Sequence, residues 1–465
     1  MLKPINQIKP INQIKPINQI KPINQIKTIP FLQQIQWVVD PVGYMETAVQ
    51  KYPDIFTATI IGFGNSIVFV NEPQAIQQIL TNDRKQFSAP GKLNTLLKPI
   101  LGNSSVMMLD GDRHKKRRQL VMPAFHGSRM QNYGQLIFDL TTKVFDRYKS
   151  SNGKFLARDA MQDISLQVIL QSVFGLYEGD RCQQLKSLMN KLTELFTSPL
   201  TSGLLFFPSL QKDLGAWSPW GNFVRQREQI DKLIYQEIAE RRANHDPERT
   251  DILSMLLCAI DDEGNQMSDE ELHDELLALL LAGHETTATA MSWALYWIYR
   301  LPEVKQKLLQ ELKSLSDPTD WMSIFKLPYL TAVCNETLRI YPVAMLTFPR
   351  VVEEPVELLG YKLEPKTIVI GCIYLLQHRE ELYPDAQRFN PDRFLDRTFS
   401  PYEFMPFGGG VRRCIGEALA QFEMKIVLAT ILSHYDLELV DLLPVKPQRR
   451  GVTLAPAGGI KMAFK

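Results

Sequence analysis

The chain has 465 residues, 45% of them hydrophobic, which is ample for a large core and too much for one small domain. Its formal net charge of +1 gives no bulk field that would point to nucleic acid. The five cysteines, Cys182, Cys258, Cys334, Cys372 and Cys414, are odd in number and far apart, and no Cys-x-x-Cys occurs. This argues against a disulfide framework, a clustered zinc site and covalent c-type haem attachment, and for a reducing compartment.

The N-terminus repeats Lys-Pro-Ile-Asn-Gln-Ile from Lys3 to Ile26. Its prolines break any helix, and lysine recurs too often for a signal-peptide core. Residues 1–27 therefore read as an extended, disordered tail. No run of about 20 apolar residues follows, so no transmembrane anchor is expected.

Phe56–Ile61 and Ser66–Val70 read as two strands of a hairpin. The glycines between them are no dinucleotide fingerprint, because Ile67 stands where the third glycine belongs. From Asn71 to about Arg300 most segments have helical period, interrupted by the Pro- and Trp-containing stretch Ser198 to Trp220. Within this part His114-Lys115-Lys116-Arg117-Arg118 opens a helix; its lysines form either a solvated face or a docking patch. Ser268-x-x-Glu271 is a capping box that starts a long helix, which runs through Tyr299 until Pro302 stops it. Glu285 lies mid-helix beside Gly283, Thr286 and Thr287. A carboxylate there is costly unless paired or solvated, so it reads either as a salt-bridged core residue or as a functional acid beside a groove that the glycine and threonines widen. His284 reads as a packing or surface histidine.

Further on, Glu336 and Arg339 share one helix face. Val351–Leu358 and Thr367–Ile373 read as strands, and a last helix spans about Ile415 to His434. Between them lies Phe407-Gly408-Gly409-Gly410-Val411-Arg412-Arg413-Cys414-Ile415-Gly416. The glycines permit unusual dihedrals and close approach. Cys414 stands at a helix start, where amides and the two arginines favour a thiolate. Gly416 leaves room for a flat ligand. The alternative is a buried structural cysteine after a flexible loop. No composition break follows the tail, so residues 28–465 are expected to form one mainly helical domain with a small sheet subdomain.

The spacing Phe407-x-x-Gly410-x-Arg412-x-Cys414-x-Gly416 is the signature of cytochrome P450s, and the chain resembles that family at every defined position. Three further stretches are similar to family motifs in the same order: His114-x-x-x-Arg118; Ala282-Gly283-His284-Glu285-Thr286-Thr287; and Glu336-x-x-Arg339 followed by Pro391-Asp392-Arg393-Phe394. His114 departs from the tryptophan more common at its position. Asp110–His114, Met122–Gly127 and Trp217–Gly221 resemble the cyanobacterial branch.

The resemblance implies the cytochrome P450 fold and haem b (iron protoporphyrin IX), with Cys414 as axial ligand. Phe407 and Gly416 would lie beside the haem, and His114, Arg118, Arg350 and Arg412 would face its propionates. Glu285 and Thr286 become the acid–alcohol pair that delivers protons to oxygen, while Glu336, Arg339 and Arg393 form a structural network. The activity implied is insertion of one oxygen atom from O2 into a long or bulky apolar substrate, a fatty acid, alkane or terpene, lined by Phe206, Phe207, Ala282, Val343 and Leu346. Lys92 or Lys98 would anchor a carboxylate. Electrons would come from a ferredoxin or flavodoxin-type donor, docked on Arg113, Lys115, Lys116, Arg117 and Arg413. The place implied is cytoplasmic, or peripheral at a membrane. A haem-thiolate enzyme that uses or rearranges peroxides, and a non-catalytic haem or lipid binder, remain as rivals.

Overall fold

Ser268 accepts a hydrogen bond from the amide of Glu271, and the Glu271 carboxylate accepts one from the amide of Ser268, so the capping box forms as expected. The helix it starts, Asp269–Arg300, is the longest element, and Leu301 caps it before Pro302 opens the next helix. The structure, a computed structural model, describes residues 23–465 except 63–65, 95, 126–128, 152, 197–198, 245 and 262. Against the long helix packs Ala157–Phe174, whose last eleven residues are all buried. Gly283 makes the close approach possible: a Cβ there would stand 2.4 Å from the Ile169 side chain. The glycine thus joins two helices rather than widening a groove, contrary to the sequence-based expectation. Helices Arg129–Ser151 and Glu417–His434 complete the central core.

The minor sheets lie at the periphery. A five-stranded sheet runs in the order Ile55–Ala58, Ile67–Val70, Ile368–Gly371, Arg350–Val352 and Phe87–Ser88. The first two strands pair antiparallel as the hairpin reading required; residues 63–65 of their connection lie outside the described residues. The first strand stops at Ala58 because the next amide, that of Thr59, donates to the Gln33 side chain instead of a ladder partner. The expected strand Val351–Leu358 is split at Pro355, which lacks an N–H. Its second half forms a tight hairpin with Tyr361–Leu363 over Leu359 and Gly360, both at positive φ. The expected strand to Ile373 ends at Gly371, and a short helix starts at Ile373. The last helix begins at Glu417 rather than Ile415, because the cysteine loop continues to Gly416.

The last repeat copy differs from the free tail expected. The Ile26 amide donates to the Thr57 carbonyl, and the Thr57 amide donates to the Asn24 carbonyl, so the chain adds a short bridge to the first strand's edge. Ile23 and Ile26 supply the driving burial by packing on two apolar clusters. Residues 1–22 lie outside the described residues.

Candidate active site

The cysteine loop is held by its own backbone and by one carboxylate. The Cys414 amide donates to the Phe407 carbonyl at 3.0 Å, and the Val411 amide donates to Asp83 Oδ2 at 3.0 Å. Gly410 has φ +63°, and a Cβ there would meet Asp83 Oδ2 at 2.2 Å, so only glycine fits. A Cβ on Gly416 would meet nothing within 4 Å, which leaves open space beside the helix start. Cys414 itself is exposed. Burial is nevertheless the largest influence on its ionisation and pushes the thiol up, as for a group facing a space walled by protein. The Gly416 amide, Arg118 and Arg413 pull the other way, and Glu417 adds to the rise. Without a coordinating cation, burial outweighs the amide and the arginines; a bound cation deprotonates the sulfur, as the thiolate expectation requires.

Four guanidinium groups surround His114. Burial first, then the charges of Arg412, Arg118, Arg84 and Arg350, holds its imidazole down at about 3. Three of the arginines donate to protein groups. Arg350 pairs with Asp83 at 2.5 Å and donates to the Phe348 and Gly409 carbonyls. Arg412 donates to the carbonyls of Ala89, Val106 and Leu109. Arg118 donates to the Arg413 carbonyl at 2.6 Å. The expected propionate contacts therefore converge as positive charge, while Arg350 and Arg412 also knit the loop to its neighbours.

On the long helix Ala282 is exposed, although Leu280 and His284 on either side are fully buried. The Thr286 hydroxyl donates to the Ala282 carbonyl, which keeps it on that same open side. Successive helical residues point about 100° apart, and Glu285 turns outward. Its carboxylate accepts from Arg158 Nη2 at 2.9 Å on both oxygens and from Gln162, and Arg450 lies 3.2 Å away. Arg158 and Arg450, with Asp159 and Gln448, line an outer cavity of about 280 Å³. Glu285 is thus both salt-bridged and close to solvent. His284 is wholly buried, both ring nitrogens lack a partner, and burial pulls its imidazole down to about 4.

Glu336 and Arg339 are not a surface pair. Both are fully buried and joined by two hydrogen bonds of 2.7 and 2.9 Å, and Arg393 donates to the same carboxylate at 3.2 Å. The network is closed by the Asn390 amide on Glu336 and by Arg339 on the Gln377 carbonyl.

The expected substrate residues separate. Ala282 is exposed, and Phe207 and Leu346 are half-buried. Phe206 and Val343 are buried, Phe206 within an apolar cluster with Leu96, Met345 and Leu454. The open position beside Val343 is Ala344. Trp217, in the stretch that resembles the cyanobacterial branch, is 79% exposed on the surface. Lys92 and Lys98 are also exposed. In the basic run, Arg117 is buried against Glu271 and Glu275, Lys116 pairs with Glu263 and Arg413 with Glu417, which leaves Arg113 and Lys115 as the open charges of the expected docking patch. Sequence spacing did not reveal Arg158 or Arg450, because they reach Glu285 only through tertiary packing.

An accessible thiol next to open space, with a cationic cluster nearby, has the donor set and room for a thiolate-ligated haem whose propionates meet positive charge. The family model described as Cytochrome P450 matches residues 24–463. Cytochrome P450 135B1 of Mycobacterium tuberculosis is 35% identical over 425 residues, covering 91% of this chain and 87% of its own. Cytochrome P450 138 of the same organism is 32% identical over 436 residues, covering 93% and 94%. Among solved structures, retinoic acid bound cyanobacterial CYP120A1 matches with a TM-score of 0.83 over 96% of this chain and 100% of that one, at 21% identity, a likeness of fold. The chain belongs to the cytochrome P450 family, the haem-thiolate monooxygenases that draw on O2 and a redox partner.

Proposed function

We propose that this cytochrome P450 inserts an oxygen atom into a long or bulky apolar substrate of the fatty acid, alkane or terpene class. The observation that carries this reading is that the open positions within otherwise buried elements, Ala282 and Ala344, are small and apolar, with Phe207 and Leu346 half-buried in the neighbouring wall. The retinoic acid in CYP120A1 is itself an elongated apolar molecule, which agrees with this class.

In this reading Cys414 would hold the haem iron, Phe407 and Gly416 would border the macrocycle, Arg118, Arg350 and Arg412 would balance its propionates, and the neutral His114 imidazole would donate a hydrogen bond to one of them. The thiolate-bound haem supplies oxygen activation and O–O cleavage. The chain's own residues supply protons and exclude water. Glu285, held by Arg158 and Arg450 beside the outer cavity, takes protons directly from water there. Thr286, on the adjacent inward face, passes them on through its hydroxyl. The intact acid–alcohol pair favours the O2-dependent reaction over peroxide rearrangement.

Electrons come from a ferredoxin or flavodoxin-type protein steered by Arg113 and Lys115; reduction slows as ionic strength rises, and indifference to salt removes this part. The chain works in the cytoplasm, in peripheral contact with a membrane. Among the described residues no helix is long and apolar enough to cross one. The first helix, Pro30–Val39, and its N-cap expose Ile29, Phe31 and Leu32, and the segment after Phe207 exposes Leu210, Leu214 and Trp217. The first helix packs against Pro199–Phe206, which brings these two apolar surfaces near each other.

The deciding experiment titrates the haem-loaded protein with apolar acids, alkanes and terpenes and follows the iron's spin-state band, then identifies product by mass. A response to at least one class, with a product heavier by one oxygen, is expected. Silence across all three overturns the reading.

A further inference from the structure

Arg449 lies on the strand Pro447–Arg450 and is 2% exposed. Its guanidinium carbon stands 4.7 Å from the ring centroid of Trp37 and 4.9 Å from that of Phe206. Nη2 donates to the Trp37 carbonyl at 2.9 Å, while Nε is sealed from solvent without a partner. The other buried arginines among the described residues are matched. Arg117, Arg158, Arg241, Arg339, Arg350 and Arg393 each lie within salt-bridge distance of a carboxylate. Arg412 has none so close, but donates to three backbone carbonyls. Arg449 has neither a carboxylate nor a full set of carbonyls.

A buried guanidinium without a counter-charge is costly, and two aromatic faces offset only part of that cost. Burial alone pulls this arginine down to about 9, with no acidic group acting on it. Its surroundings point to what completes it. Arg449 is register partner of Leu454, whose amide donates to the Val343 carbonyl, next to the open Ala344. Leu454 shares its apolar cluster with Leu96, Phe206 and Met345, and with the half-buried Phe207 and Leu346. An unpaired cation therefore stands in the same wall as the apolar residues of the substrate region.

We infer that Arg449 is the anchor for the carboxylate of a long apolar acid, which makes the substrate an acid rather than an alkane or neutral terpene. The inference rests on the apolar-substrate reading above. The carboxylate accepts from the guanidinium donors that the protein leaves free, and the apolar chain runs along the wall towards Ala344. The exposed Lys92 and Lys98 are not needed.

The test compares hexadecanoic acid with 1-hexadecanol by spin-state titration of the haem-loaded protein, alongside ligand-induced shifts in melting temperature. The acid is expected to bind about ten to a hundred times more tightly. Arg449→Met should abolish that difference and leave alcohol binding unchanged, Arg449→Lys should retain part of it, and Lys92→Ala with Lys98→Ala should retain all of it. Equal binding of acid and alcohol by the unaltered protein overturns the anchor while the apolar reading stands. So does an acid preference that survives Arg449→Met or disappears with the lysines. If the methionine variant does not fold, the acid–alcohol pair on the unaltered protein and the lysine variants decide. If no apolar compound of any class binds, the underlying reading fails and the anchor falls with it.

Discussion

Glu285 has contacts on the solvent side while its neighbour Thr286 bonds to the Ala282 carbonyl on the open side, so the two point about 100° apart around the helix. If the carboxylate carries protons inward, Glu285→Gln should lower turnover by roughly 10²–10⁴ and leave the substrate-induced spectral shift in place; comparable turnover in the two proteins would remove its catalytic role. The buried imidazoles give a second consequence. His114 and His284 sit at about 3 and about 4 against an ordinary value of 6.5, so the unfolded chain binds protons first as pH falls. Their contribution is intact above pH 6.5 and drains away towards the folded values. The denaturation midpoint should therefore decline between pH 6.5 and 4, and His284→Leu should soften that decline. Residue identity alone announced Glu285, Thr286 and Cys414, because their spacing is local. It was silent on the Arg158 and Arg450 clasp, since those positions lie in a different helix and a late strand, and on which of Val343 and Ala344 is the open one, since only the folded backbone decides which way each side chain turns.

Among the elements, the long helix was legible from end to end: a capping box, an apolar run and a stopping proline are all local signals. Ser268→Ala should cost about 1 kcal/mol, read from the denaturant midpoint. The strands were less legible. Their ends depend on where neighbouring backbone groups find partners, as when Gln33 captures the Thr59 amide, and no periodicity records that. The Glu336–Arg339–Arg393 network shows the same limit. Spacing gave the pair, but only the fold shows that it is sealed from water. Glu336→Gln leaves two buried arginines short of their shared charge, and a loss of about 3–5 kcal/mol together with reduced haem retention is expected; a stability within 0.5 kcal/mol of the parent would contradict that burial.

At the scale of the whole molecule, the mainly helical architecture followed from the dominance of 3.6-residue periods, whereas the packing of the first helix against Pro199–Phe206, with exposed apolar residues on the former and after the latter, joins two segments distant in sequence. Trp217→Asp should reduce co-sedimentation with anionic phospholipid vesicles several-fold without altering the carbon monoxide difference spectrum; unchanged partitioning would rule out that surface. The stitch between Asn24–Ile26 and Thr57 also decides how the gene can be trimmed. A version starting at Ile23 keeps the added edge strand, so it should express and melt like the parent. One starting at Thr28 strips the two hydrogen-bonding residues, Asn24 and Ile26, and the packing of Ile23 and Ile26 from the sheet margin, baring a strand edge that invites self-association.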